Sequence, residues 1–588
     1  MNQRLALCSL ALTLLAPSTD SALAGDATVL PPVLISADEP GARHVESWLA
    51  VNPRDAQNLI AASLVFGERG GVAVYASLDG GQSWQRAVHG PRGEKAFPGL
   101  DPAISFARDG DAFLCTSGGD LAVWRSTDGG RTWGEPAAVP GSAYDRPSIA
   151  SDWSAGPYHD RVYVAGKFPI TVFGHPGADV MAISASDDRG RSFGSSRLIL
   201  PSPERGALHL VGNVITTPDG RLIVPYQTFD WPQPGQTLLR GDHWLITSEN
   251  GGRSYSEPRL VASVQSYGHA DEWRSMKGAS MAQIALDSSA GPRRGRLYLV
   301  WLDVVEAHYQ VFVAASADAG KSWSTPVRVN DNHSTSNQSN PAIAVNEDGT
   351  VGVVWNDRRN DARDRCYQPF FAASLDGGAS FQPNVEVVKE LTCPNGPQTQ
   401  DGRFDPVNPA HRFLNGGDTQ GIVGRPNSSF QLAWLGGSGV MQLWSTTITV
   451  KDDRPLMLSS VFFTKWSAEE MRAGGAIEFR GWPRVRSSTL LAPAAARRIR
   501  RGAGRSGARI AAVAGGRESR WPGALHSRGR PLPPLAPWDC AAGRRRWAST
   551  RWSCRSGRWR ARPAAGGGPG SASRARPRPA PTRSAAPR

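Results

Sequence analysis

Carboxylates recur in this chain at one kind of place. Asp79, Asp128, Asp188, Asp318 and Asp376, with Asn250 fourth in the row, each stand third in a Ser-x-Asp/Asn-x-Gly-x-Ser/Thr-aromatic motif. The six copies begin at Ser77, Ser126, Ser186, Ser248, Ser316 and Ser374, spaced 49, 60, 62, 68 and 58 residues apart. Such a row invites a catalytic or calcium-binding reading. The fixed neighbours argue otherwise. A short acidic or amide side chain accepts hydrogen bonds from the N–H groups of its own turn, and the glycine supplies a positive φ. The closing aromatic then packs between sheets. These residues read as hairpin turns, so reactive groups must be sought elsewhere.

Where to look depends on the elements around each box. Two strands precede it, as in Pro102–Phe106 with Ala112–Leu114, or Pro341–Val345 with Val351–Trp355. A third leads into it (Val311–Ala315) and a fourth follows (Pro326–Val329). Four short strands per repeat describe a propeller blade. Units start near Glu46, Asp101, Asp145, Gly212, Ala279 and Asn340, and a seventh without a box runs from Gly417 to Val450. Pro31–Ser36 has the fourth-strand pattern and is expected to complete that seventh blade, which removes an exposed edge. The expected fold is all-β: a β-propeller of four-stranded antiparallel blades, seven in number, with six as the alternative.

The motifs resemble the Asp boxes, or bacterial neuraminidase repeats, of the sialidase superfamily, and the resemblance spans Glu46 to Val450. It implies the propeller fold and, for function, a secreted sialidase-like glycoside hydrolase acting on extracellular glycans. The alternative is a non-catalytic propeller that binds glycan or protein through the face opposite the boxes, because the same fold carries unrelated functions.

Blade topology limits the site. First-to-second-strand turns and boxed turns share one face, while second-to-third-strand loops and blade connections share the other, around the axis. The second face collects Asp101, Asp145, Arg146, His209, Asn213, Asp271, Glu272, Arg274, Lys277, Asn337, Asn340, Asn415 and Asp418 from the connections. Its loops add Lys167, Tyr226, Asp230, Asp303, Glu306, His308 and the run Asn356–Arg363. The resemblance implies an Arg clamp on a sugar carboxylate, a Tyr–Glu nucleophile pair and an Asp acid/base. By location these roles fall to Arg146, Arg274 and Arg358; to Tyr226 or Tyr309 with Glu306; and to Asp101 or Asp145. The family's Phe/Tyr-Arg-Ile-Pro motif is absent, and Tyr144-Asp-Arg-Pro147 is the nearest text. Asp357–Arg358 also reads as a salt-bridged loop. No Cys/His cluster has metal-ligand spacing, and no cofactor or metal is expected.

The ends differ from the body. Residues 1–24 read as a signal peptide: Arg4, an apolar run from Leu5 to Ala16, then Ala22-Leu-Ala24. A secreted or periplasmic, monomeric protein with no membrane span follows. After a connector (451–480), residues 481–588 form a low-complexity tail with 25 Arg, no Lys and two acids. That tail reads as a disordered segment or as out-of-frame sequence. It carries all the excess positive charge, since Met1–Arg480 holds 41 basic against 50 acidic residues. No nucleic acid partner is therefore expected, and the resemblance implies a glycan or glycoprotein as partner. Cys366 and Cys393 flank one hairpin and form either a disulfide or two thiols, while Cys115 reads as a buried thiol.

Overall fold

The computed structural model describes residues 27–451, except 67–69, 119, 142–144, 173–174, 200–206, 231–235, 268–280, 333–334, 394–415 and 438. The signal segment 1–24, the connector beyond Lys451, the tail 481–588, Asp271, Glu272, Arg274, Lys277 and Asn415 lie outside the described residues.

Seven antiparallel sheets are arranged as blades of a propeller. Their innermost strands are, in chain order, Arg43–Asn52, Leu100–Phe106, Asp145–Ser151, Ala207–Val211 with Ile215–Thr216, Gln283–Leu286, Gln338–Val345 and Gly421–Gly424. Seven blades, not six, complete the ring. The seventh takes its fourth strand from the N-terminus: Ala27–Val29 pairs with Ile448–Val450, and Val33–Leu34 with Trp444–Ser445. This closing segment begins four residues before the Pro31 expected from the sequence pattern.

Second strands are buried on both faces. Leu222–Phe229, Val351–Asp357 and Ser429–Gly436 are buried throughout, because each blade lies between two others. The apolar residues form seven clusters, one at each blade-to-blade contact. The cluster that joins Val45, Ala61 and Tyr75 of the first blade to Ala433, Leu435 and Leu443 of the seventh closes the circle.

The boxed turns behave as their chemistry dictates. Asp188 Oδ1 accepts from Ser186 Oγ (2.7 Å), Arg191 N (3.0 Å) and Ser192 N (2.8 Å), and Oδ2 accepts from Ser192 Oγ (2.6 Å). The Ser186 hydroxyl in turn accepts from Gly190 N at 2.7 Å. Asn250 keeps the acceptor half of this pattern, and its amide donates to Ser254 Oγ at 2.7 Å. Each box also reaches outside its own hairpin. A Cβ on Gly190 (φ +75°) would stand 2.8 Å from the Phe113 ring of the preceding blade. Trp133, Phe193 and Tyr255 likewise pack into the contact with the preceding blade. Each glycine thus serves both the turn's φ and the close approach of its neighbour.

Cys366 and Cys393 form a disulfide, and Cys115 is a buried free thiol. Among the described residues no helix is long and apolar enough to cross a membrane.

Burial would raise the Asp188 carboxyl, but hydrogen bonds from Ser192, Ser186 and Arg191 together outweigh burial and hold it down at about 2, against an ordinary 3.8. A folded value below the unfolded one contributes stability above pH ~4 that is lost as pH falls towards 2. Asp188→Ala is expected to cost about 1–2 kcal/mol at pH 7, in the range of a lost capping side chain. Urea denaturation should show that difference shrinking between pH 4 and pH 2.

Candidate active site

The polar residues that open the inner strands converge on the axis, on the face opposite the boxes. Four of them share an unusual backbone: Glu46 (φ 58°), Asp101 (φ 44°), Arg146 (φ 51°) and Asn340 (φ 51°) are left-handed, non-glycine residues. Asp101, Arg146 and Asn340 each precede a proline, which disfavours helical conformations at the residue before it. A register shift lies at each position, where the inner strand starts its pairing. Strain of this kind costs on the order of 1–3 kcal/mol per residue and concentrates at functional sites.

Blade seven enters this hub through Gly416–Thr419. Glu46 is buried; its Oε1 accepts from Asp418 N (3.1 Å) and its Oε2 from Thr419 Oγ1 (3.4 Å). Asn340 Nδ2 donates to Gly417 O at 2.6 Å. Arg146, from blade three, forms an ion pair across the axis with Asp418. Its backbone N–H donates to Asp101 Oδ2 at 3.3 Å, which also accepts from Ser117 Oγ at 3.3 Å. Asp145 pairs with Lys167 Nζ at 3.1 Å. Below the cluster lies a cavity of about 330 Å³ lined by inner-strand residues of all seven blades, among them Trp48, Ile104, Ile149, Asn213, Gln283, Ile343 and Gln420.

The carboxyls do not titrate alike. Burial, followed by a hydrogen bond to the Asp145 carboxylate and that group's charge, pushes Asp101 up to about 7. Asp145 is lowered: burial opposes this, but the bond from Asp101 and the charges of Arg146 and Lys167 outweigh it. Glu46 is pushed well above the ordinary carboxylate range by burial and then by Asp418 and Asp101. Arg146 is raised: burial opposes this, and Asp418, Asp145 and Glu46 outweigh it. Asp101 therefore titrates around neutral pH, next to a partner held ionised. Environments that split two neighbouring carboxyls in this way are those in which one can serve as acid and the other as base.

Of the residues expected from the sequence, Asp101, Asp145 and Arg146 come together here, with Lys167, Asn340 and Asp418 around them. Arg358 does not join them. It is buried within blade six, where Nη1 donates to Ser339 Oγ at 3.2 Å and to Asn337 O at 3.5 Å, and the guanidinium lies over Tyr367. The salt bridge beside it belongs to Arg359, which ties Asp357 to Asp331, each at 2.7 Å. Tyr226 is buried inside the strand Leu222–Phe229, packed with Tyr163 and Trp244. Tyr309 is likewise buried, its hydroxyl within 3.0 Å of Ser266 Oγ and Tyr267 N. Glu306 sits exposed at the tip of the hairpin between Leu297–Val305 and His308–Ser316. The residue missed by sequence reasoning is Glu46. Aligning the blade starts (Glu46-Ser, Asp101-Pro, Arg146-Pro, Asn340-Pro) would have found it. Among the described residues no group of His, Cys, Asp or Glu is arranged to hold a metal ion.

A seven-bladed ring with boxed turns and an axial polar hub defines an Asp-box β-propeller. The family model of the BNR repeat-like domain matches residues 114–402, and the chain carries a BNR repeat-like domain there. A protein of unknown function from Dyadobacter fermentans aligns with 72% of this chain and 99% of its own, at 12% identity and TM-score 0.41. The Hadza microbial sialidase Hz136 aligns with 66% of this chain and 73% of its own, at 15% identity and TM-score 0.36. For the Penicillium chrysogenum alpha-L-arabinanase complexed with arabinobiose the shares are 59% and 92%, at 14% identity and TM-score 0.36. Likeness at this level concerns the ring and not its chemistry. Curated protein sequences contain no match.

The raised Asp101 has a consequence for stability. Its folded value of about 7 lies above the ordinary 3.8, so the folded chain holds a proton that the unfolded chain releases. Stability from this group is full below pH ~4 and is lost as pH rises through 7. Asp101→Asn is expected to gain about 1–2 kcal/mol at pH 8 and little at pH 4, as relief of a buried carboxyl held above its ordinary pKa does. Thermal denaturation of both proteins at the two pH values measures it.

Proposed function

We propose that the chain is a secreted, sialidase-like glycoside hydrolase acting on extracellular glycans that carry acidic sugars. The observation that carries the reading is the proton-sharing Asp101–Asp145 pair beside Arg146 and Lys167 at the axial end of the ring. The protonated Asp101 carboxyl donates to the glycosidic oxygen as the bond from that oxygen to the anomeric carbon breaks. A water adds to the anomeric carbon and returns its proton to the Asp101–Asp145 pair, so the two carboxyls act first as acid and then as base. Arg146 and Lys167 supply the positive charge that an acidic sugar requires. The Cys366–Cys393 disulfide and the signal-like N-terminus agree with an oxidising, extracellular location.

A second reading, a propeller that binds glycan without cleaving it, is favoured by one specific contact. The Arg146 guanidinium is already paired with Asp418, and an incoming carboxylate has to displace that partner.

Hydrolysis of a fluorogenic sialoside by the full chain separates the two. Turnover is expected to decline as pH rises through about 7, where Asp101 loses its proton. Asp101→Asn should reduce kcat by a factor of about 10²–10⁴, the usual contribution of a positioned acid. Binding of the sialoside by a folded protein without turnover would establish the second reading instead.

A further inference from the structure

The other mouth of the ring holds a cavity of about 940 Å³, at the upper end of the range for small-molecule sites. It is built from first-to-second-strand turns, which circle the axis on the same face as the boxes. Arg54 comes from blade one, Arg108 from blade two, Trp153 from blade three and Arg294 from blade five. The cavity shares Trp153, Thr216, Leu286 and Ser288 with the axial cavity above it.

Two properties set this mouth apart. The first is aromatic: Trp153 is 43% exposed and is the one exposed tryptophan among the described residues. Its indole N–H is already spent on Phe106 O at 2.7 Å, so the ring is held in place without needing a polar ligand. The second is charge. Among the described residues, none of the three guanidiniums pairs with a carboxylate. Arg54 Nη1 donates to Asp109 O (3.4 Å), and Arg294 Nη1 donates to Ser288 O (3.0 Å) and Ser289 O (3.1 Å). The acids of the lining, Asp109 and Asp160, face Arg189 instead: Asp109 as an ion pair and Asp160 at 4.0 Å. The mouth therefore offers uncommitted cations around a fixed aromatic plate.

We infer that this mouth is a binding site for a saccharide bearing carboxylates, seated against the Trp153 ring with its acid groups on Arg54, Arg108 and Arg294. A sugar ring presents an apolar C–H face that suits an indole, and a guanidinium meets a carboxylate in a two-point fork. The site is separate from the Asp101–Asp145 pair and does not depend on that pair being catalytic. A glycan chain held here would keep the enzyme on a polymer while the opposite face works, a tethering role with no chemistry of its own.

Calorimetric titration of the full chain with trigalacturonate, maltotriose and inorganic phosphate tests this. Trigalacturonate should bind, while maltotriose and phosphate should bind at least about tenfold more weakly, because each lacks one half of the recognition. The double substitution Arg108→Ala/Arg294→Ala should weaken trigalacturonate binding by about tenfold or more, since it removes two of the three cations that meet its carboxylates. Trp153→Phe, which keeps a ring, should weaken it less than Trp153→Ala. Asp101→Asn should leave it unchanged. The inference is overturned if trigalacturonate fails to bind, if phosphate binds as tightly, or if the double variant binds like the parent. It is equally overturned if Asp101→Asn alone abolishes binding, which would place the saccharide on the opposite face.

Discussion

Ring closure is the constraint on which the rest depends. No blade can bury both faces of its second and third strands until the blades on either side are present, and the first and seventh become neighbours only when Ala27–Val29 pairs with Ile448–Val450. The cluster of Val45, Tyr75, Ala433 and Leu443 forms across that seam, and an open ring would leave it facing water. The axial hub straddles the same seam. Glu46 on one side receives hydrogen bonds from Asp418 and Thr419 on the other, and Arg146 reaches the seam from across the axis. Closing the ring and assembling the hub are one event.

The hub and the boxes show how differently one residue type is used. A box aspartate has its lone pairs filled by donors of its own turn, which fixes it in the ionised form and removes it from chemistry. Asp101 has a thinner set of donors, a strained backbone and a like-charged neighbour. The first environment adds to stability and the second draws on it. That contrast, rather than the presence of carboxylates, sets the axial face apart from the boxes.

Legibility in the sequence followed the range of the interactions. The boxes could be read because nearly all their hydrogen bonds join residues at most four apart, as between Ser186 and Gly190 or Asp188 and Ser192. The blade number could be read because strand patterns repeat, although the pairing that settles it joins the two ends of the described chain. The axial set was legible in Asp101, Asp145 and Arg146, which open blades in a repeated polar-proline pattern. Glu46 lacks the proline and passed unnoticed. Arg358 and Tyr226 could be assigned to a blade but not to a direction. Arg358 donates to Ser339 and Tyr226 packs in one cluster with Trp244, and contacts between separate strands decide both.

The boxed turns all lean the same way round the ring, and those of blades two to six each rest on the blade made before. A chain synthesised from its N-terminus therefore gives every new blade a finished neighbour to dock on, except the first. The box of blade one, with Gly81 against Gln431, has its seat on the last blade to appear. During synthesis the oldest segment of the ring is thus the one longest without a partner, with one strand edge and one turn waiting on the final residues. Premature termination anywhere before Val450 would orphan both ends of the ring at once, and the penalty for a late truncation is not confined to the blade it damages.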